Sequence, residues 1–188
     1  MSGPLIAPTA RARFVVTLPP EPSRIGKELR AAAGASFTTL TATQEAFLHL
    51  AARAERRLVV LTPYIDAAGA IWAEALFAAT QAQERVLVLR DAGQLTDCGV
   101  AGERLRALAT RVHNYSFRDI DDAGREVWET FHAKIVLADS TAAYVGSANF
   151  LFRSREMNLE CGVLLEGDAV APVGVLVASV LRMFEQAP

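Results

Sequence analysis

Two runs without a polar side chain, Leu58-Val59-Val60-Leu61 and Val86-Leu87-Val88-Leu89, constrain the fold more than any other feature of this 188-residue sequence. A strand that alternates apolar and polar residues lies at a surface, whereas one that is apolar at every position must be buried on both faces, as in a sheet covered by helices. Between the runs, Ile71 to Thr80 has helical spacing that predicts Ile71, Ala75 and Leu76 facing inward. Glu103 to Ala109 reads as a second helix, and Val112 to Phe117 as a third strand. Strands alternating with helices of this length imply crossover units and parallel pairing.

The second half changes character. Val127 to Ala138, Ala142 to Val145 and Leu159 to Leu165 are strand-like, with only a short helical stretch, Ala148 to Arg153, between the last two. The expected fold is therefore α/β, with a mixed, largely parallel β-sheet flanked by helices on both faces. Upstream, Phe14 to Leu18 predicts a short strand stopped by Pro19-Pro20, followed by a helix through Glu28 to Ala33. Thr43 is placed to cap a helix from Gln44 to Arg56. Val170 to Met183 reads as a buried C-terminal helix, interrupted by Pro172, Gly174, Ser179 and Arg182 and too short to span a bilayer. One hydrophobic core fits this length, so residues 1–42 are assigned to an N-terminal extension and 43–188 to a single domain.

Apolar residues at 52% and charged residues at 21% exclude a disordered chain. A net charge of −2 means that attraction to nucleic acid or an anionic membrane has to come from a local patch. Cys98 and Cys161 lack CxxC or Cys/His spacing, which predicts packed, reduced thiols and neither a disulfide framework nor a zinc site. Residues 1–20 carry Pro4, Pro8, Arg11 and Arg13 without an apolar run of signal-peptide length, so a cytoplasmic location is expected.

The chemistry concentrates in His132-Ala-Lys134-Ile-Val-Leu-Ala-Asp139 and Gly146-Ser147-Ala-Asn149. In a strand-like run His132 and Lys134, two apart, leave the same face, while Asp139 leaves the other. Asp139 is better placed at the turn with Ser140, where a carboxylate accepts backbone N–H bonds. A neutral imidazole beside an ammonium suits phosphate: the ammonium holds non-bridging oxygens and the imidazole acts as nucleophile or proton carrier. Ser147 and Asn149 follow a glycine at a strand end, where N–H groups and an amide can meet the same anion, although Ser147 can equally serve only to shape the turn. Lys134 is one of two lysines against 17 arginines, and an ammonium between Ile and Val at a strand position is costly without a partner.

On these residues the sequence resembles the phospholipase D superfamily, whose motif is HxKxxxxD followed by GSxN. The resemblance implies that His132 is the nucleophile that forms a phosphohistidine, that Lys134 and Asn149 bind phosphate oxygens, and that Glu160 is the acid that steadies the histidine. It implies no cofactor and no metal. Most members carry two motifs and this chain has one, so the resemblance to the single-motif bacterial nucleases implies a homodimer with DNA as substrate. Arg153 and Arg155, directly after the motif, read either as an extension of a phosphate track or as solvated surface residues. His49 and His113 have no lysine two residues later and read as ordinary helix and strand residues. Trp72 and Trp128 read as core or interface residues; Tyr64 and Asp66 follow the C-terminal end of a buried strand, where α/β sheets place ligand groups, but Pro63-Tyr64-Ile65-Asp66 reads more simply as a turn.

Leu58 to Gly69 also looks like the phospholipase D-like subunit of DISARM-type anti-phage loci, which implies partner proteins of a defence system. The alternatives are a phospholipase or transphosphatidylase acting on lipid phosphodiesters, and a non-catalytic subunit of a defence complex.

Overall fold

The computed structural model describes residues 10–33 and 41–185. The two apolar runs become β2 (Arg57–Thr62) and β3 (Glu84–Leu89), and all eight of their core residues are at most 2% exposed. Side chains on a strand alternate between faces, so each run feeds two cores. Leu58, Val60, Leu87 and Leu89 join one beneath α2 (Thr43–Arg53), α3 (Ala67–Ala79) and α5 (Val100–Leu108). Val59, Leu61, Val86 and Val88 join the other beneath α7 (Ala171–Glu185).

The remaining elements are β1 (Arg11–Thr17), α1 (Arg24–Ala33), α4 (Gln94–Asp97), β4 (Arg111–Asn114), β5 (Ser116–Ile120), β6 (Glu126–Thr130), β7 (Ile135–Ala138), β8 (Ala142–Gly146), α6 (Phe152–Glu156) and β9 (Glu160–Glu166). Seven strands form one sheet in the order β1-β9-β8-β7-β2-β3-β4. The sheet is mixed and covered on both faces, as expected. Within this sheet the parallel pairs are β2 with β3 and β3 with β4, whose connections run through α3 and α5. Pairings from β2 through β7, β8 and β9 to β1 are antiparallel. A link as short as residues 139–141 between β7 and β8 admits only antiparallel neighbours.

Several local expectations are corrected. Trp72, Leu76 and Phe77 take the inward positions of α3, while Ile71 is 54% exposed and Ala75 also faces out. The helix is apolar nearly all round, so its phase is set by packing of Trp72 against Phe47, stacked at 4.9 Å between centroids, and Phe150, tilted at 5.0 Å, rather than by periodicity. Thr43 lies inside the first turn of α2, which Ala42 precedes, and the α2 N-terminus is held by Glu45, whose Oε2 accepts from the Ala42 N–H at 3.2 Å. The run Val112 to Phe117 divides at Tyr115: β4 stays in the main sheet, while β5 pairs with β6 as a separate hairpin. Val127 to Ala138 divides into β6 and β7, leaving residues 131–134 outside any strand. The helix expected from Ala148 begins at Phe152.

Trp128 is 57% exposed on that hairpin, with the Arg118 guanidinium 4.1 Å from its ring centroid, and not in the core. The helical stretch Gly167–Glu185 spans 19 residues at mean hydropathy 1.5, long and apolar enough by those measures to cross a membrane. It instead covers the second sheet face with Val177, Val180 and Leu181 and leaves Val175 and Leu176 exposed, so most of the helix expected to be buried is not. Within residues 1–42, β1 pairs along its whole length with β9 and Val15 is fully buried, so the boundary expected after residue 42 cuts through the sheet.

Candidate active site

Antiparallel pairing brings the start of β7, the end of β8, the start of β9 and the end of β2 to one edge of the sheet. Lys134 immediately precedes β7, and its carbonyl accepts from the Gly146 N–H at 3.2 Å, which ties the HxK segment to the GSxN segment. Gly146 and Gly162 face each other across β8 and β9 over the Tyr144 ring, where a Cβ on either would fall 2.2–2.3 Å from ring atoms or the hydroxyl. The motif glycine is therefore required by packing. Tyr144 is fully buried, and desolvation pushes its phenol up to about 12.

Lys134 is 7% exposed, and its Nζ donates to the His132 carbonyl at 2.7 Å. The same Nζ lies 2.9 Å from His132 Nδ1 and 3.2 Å from Nε2. An ammonium has only donors, so a hydrogen bond between the two requires a ring nitrogen that accepts. Burial pulls the Lys134 pKa down, and the negative charge of Glu160 partly restores it. His132 itself is exposed.

Glu160 is 5% exposed and accepts from the Ser147 hydroxyl through Oε2 and from Asn158 Nδ2 at 3.3 Å through Oε1. Ser147 Oγ also accepts the Cys161 N–H at 3.0 Å. Both oxygens of Glu160 thus serve Ser147 and Asn158, and it makes no hydrogen bond to His132. Asn149 Oδ1 is buried without a hydrogen-bond partner among the described residues. Such an atom costs about 1–3 kcal/mol unless something satisfies it, and here it lies beside the motif. In α6, Arg153 is exposed and makes no ion pair among the described residues, while Arg155 Nε pairs with Glu156 at 3.0 Å.

Asp139 lies at the opposite end of β7, about 15 Å of strand from Lys134. Its carboxylate accepts the N–H groups of Glu55, Arg56 and Arg57 at 3.0, 3.0 and 2.8 Å, and its φ is 53°. Burial alone would raise its pKa, but the three N–H bonds and the nearby Arg56 charge outweigh it and hold the group low. The last residue of HxKxxxxD thus fastens the α2–β2 link to the β7–β8 turn and stands apart from His132.

The simpler reading of Pro63 to Asp66 as a turn leaves out what Tyr64 does beside His132. Its ring meets His132 edge-on, with centroids 5.9 Å apart, and its hydroxyl accepts from Arg90 at 2.9 Å. The loop is fixed from three sides: Ile65 N–H donates to Gln94 Oε1, Gln94 Nε2 donates to the Pro63 carbonyl, and Asp66 N–H donates to the Phe150 carbonyl. Asp66 also caps α3 by accepting from Gly69 at 2.8 Å, and a Cβ on Gly69 would fall 1.5 Å from the Phe150 carbonyl oxygen. The available signal was position: Tyr64 follows the C-terminal end of a buried strand, where α/β sheets place ligand groups. Among the described residues no three His, Cys, Asp or Glu are grouped to hold a metal ion.

The sequence pattern of the family described as "Cardiolipin synthase, PLD-like domain" matches residues 47–186. No curated protein matches by sequence. Among solved structures, NucT from Helicobacter pylori is similar at TM-score 0.55 and 14% identity, covering 93% of this chain and 97% of that one. Nuc from Salmonella typhimurium, a phospholipase D family member, aligns at TM-score 0.49 and 16% identity over 94% and 92% of the two chains. Phosphatidylserine synthase from Haemophilus influenzae aligns at 0.49 and 13% identity over 96% of this chain and 40% of that one. With the family pattern covering the sheet from α2 to α7 and the His132, Lys134 and Asn149 segments inside it, the chain belongs to the phospholipase D-like domain family.

Proposed function

We propose that the chain is a metal-independent phosphodiesterase that cleaves DNA through a phosphohistidine intermediate, in an active site built from two copies and working in the cytoplasm. The observation that carries this reading is the buried Lys134 ammonium in contact with the exposed His132 ring. A neutral imidazole is the nucleophilic form, and an ammonium fixed beside it can neutralise the oxygens of an incoming diester without the substrate having to recruit it.

In the first step a His132 ring nitrogen bonds to phosphorus while the bond to the leaving oxygen breaks. The protonated His132 of the partner copy supplies the proton that oxygen needs. In the second, water attacks the phosphohistidine, the P–N bond breaks, and the partner imidazole takes the water's proton. Lys134 and the amide nitrogen of Asn149 hold the non-bridging oxygens, the Asn149 amide being turned so that Nδ2 takes the unpartnered position. Glu160 acts through Ser147 and as a counter-charge to Lys134. Two identical imidazoles in opposite protonation states titrate as a coupled pair and give a bell-shaped pH profile.

The test is cleavage of labelled single- and double-stranded DNA in excess EDTA, with molar mass followed by light scattering. Cleavage by a dimer in EDTA is expected; activity that disappears on chelation, or that belongs to a monomer, sinks the mechanism. The exposed Val175 and Leu176 on α7 favour the second reading, a phospholipase or transphosphatidylase, because an apolar helix face suits a lipid surface. That reading expects turnover of phospholipid vesicles and none of DNA. A role in an anti-phage assembly, active or non-catalytic, rests on the Leu58 to Gly69 stretch and expects co-purification with defence-system proteins.

A further inference from the structure

Beside His132, at the C-terminal ends of β2, β3 and β4, lies an open cavity of about 450 Å³ lined by Tyr64, Arg90, Asp91, Gln94, Asn114 and Ser116. Its polar groups are unequally committed. Gln94 spends its amide oxygen on the Ile65 N–H and its amide nitrogen on the carbonyls of Pro63 and Asp91. Asn114 spends its oxygen on the Ala92 N–H at 2.9 Å, and Asp91 Oδ1 accepts the Gly93 N–H at 2.8 Å.

What remains is mainly a set of donors: the Asn114 amide nitrogen, the Ser116 hydroxyl and the rest of the Arg90 guanidinium. Arg90 gives one hydrogen bond to the Tyr64 hydroxyl and pairs with no carboxylate among the described residues. Uncommitted donors around a guanidinium fit an anion, and a planar guanidinium suits phosphate. The Asp91 carboxylate is the one opposing charge in the wall, turned toward its own loop by Gly93.

Tyr64 stands between this cavity and the nucleophile. The His132 ring and the Arg90 guanidinium carbon are each 5.9 Å from the Tyr64 ring centroid, so no more than twice that distance separates them. A diester phosphorus on His132 and the next phosphate of the same strand on Arg90 span such a gap. A substrate with a single phosphate leaves Arg90 without a partner.

We propose that the Arg90–Asn114–Ser116 cavity is a subsite for the phosphate adjacent to the scissile one, which selects a polyphosphodiester strand over an isolated diester. This rests on the nuclease reading and narrows it. Arg90 is a specificity-determining residue here, and Tyr64 positions it relative to His132.

The experiment compares kcat/KM of the full chain for bis(p-nitrophenyl) phosphate and for a short thymidine oligonucleotide carrying phosphates on both sides of the scissile bond, using wild type, Arg90→Ala and Arg90→Lys. The wild-type ratio favours the oligonucleotide, Arg90→Ala collapses that ratio about 10-fold and lowers the salt slope of oligonucleotide binding by about one, and Arg90→Lys restores part of the ratio. A ratio that Arg90→Ala leaves intact, whether both substrates are cleaved normally or both equally poorly, overturns the subsite while the nuclease reading stands. A wild type that hydrolyses the small diester and no oligonucleotide overturns the nuclease reading itself, and the subsite with it.

Discussion

Replacing His132 with alanine is expected to lower kcat for a phosphodiester by about 10⁵-fold or more, the scale on which loss of a nucleophile is felt. The side chain is exposed, so stability should change by less than about 0.5 kcal/mol and circular dichroism should be unaltered. The residue also tests whether two chains share one site. If each dimer needs both imidazoles, co-producing wild-type and His132→Ala chains in equal amounts leaves about a quarter of the dimers with a complete pair, whereas an independent site per chain leaves half the activity. Activity near one half would remove the partner's histidine from the mechanism, and a mutant that retains turnover would remove His132 itself.

Asp139→Ala should do the opposite, costing about 3 kcal/mol of folding stability while sparing the chemistry of the folded fraction. Three backbone N–H groups lose their acceptor, and alanine is strained at a φ of 53° that aspartate and asparagine tolerate. Urea unfolding of wild type, Asp139→Ala and Asp139→Asn measures it, with the asparagine variant falling between the other two. The pH dependence has a definite sign. A carboxyl held below its ordinary value by folding contributes stability that is present above the unfolded pKa near 4 and lost as pH falls through the folded value. The gap between wild type and Asp139→Asn should therefore narrow below about pH 4. Equal stability at pH 7 would show that the three N–H bonds carry no net weight.

Some of this was legible in the sequence for physical reasons. β2 and β3 could be read because burial on both faces leaves no room for a polar residue. Asp139 could be set apart because a carboxylate at a turn meets backbone donors; what holds it away from His132 and Lys134 is the length of β7 rather than strand parity, since residues 131–134 lie outside any strand. The phase of α3 was not legible, since a helix apolar on nearly every side contains no instruction about which side faces in. Nor were the breaks at Tyr115 and at residues 131–134. The pattern runs on without interruption, and the chain leaves the sheet where Tyr115, Phe117, Phe131 and Phe184 cluster, a contact among residues distant in sequence. Arg90 escaped for the same reason, and Tyr64 was set down to the turn: their relation to His132 exists only after the ends of β2 and β3 are laid beside the start of β7.

The pairing of β1 with β9 has a consequence for how the molecule is assembled. Arg13 and Glu166, an ion pair across that seam, stand 153 positions apart, so the seam closes one of the longest loops in the fold and is a late event on entropic grounds. Until it forms, the strand that carries Glu160 has a bare edge, to which the same segment of another molecule can add as readily as its own. At high concentration two nascent molecules can therefore exchange this strand, and the resulting swapped pair would have intact sites and the wrong covalent partners.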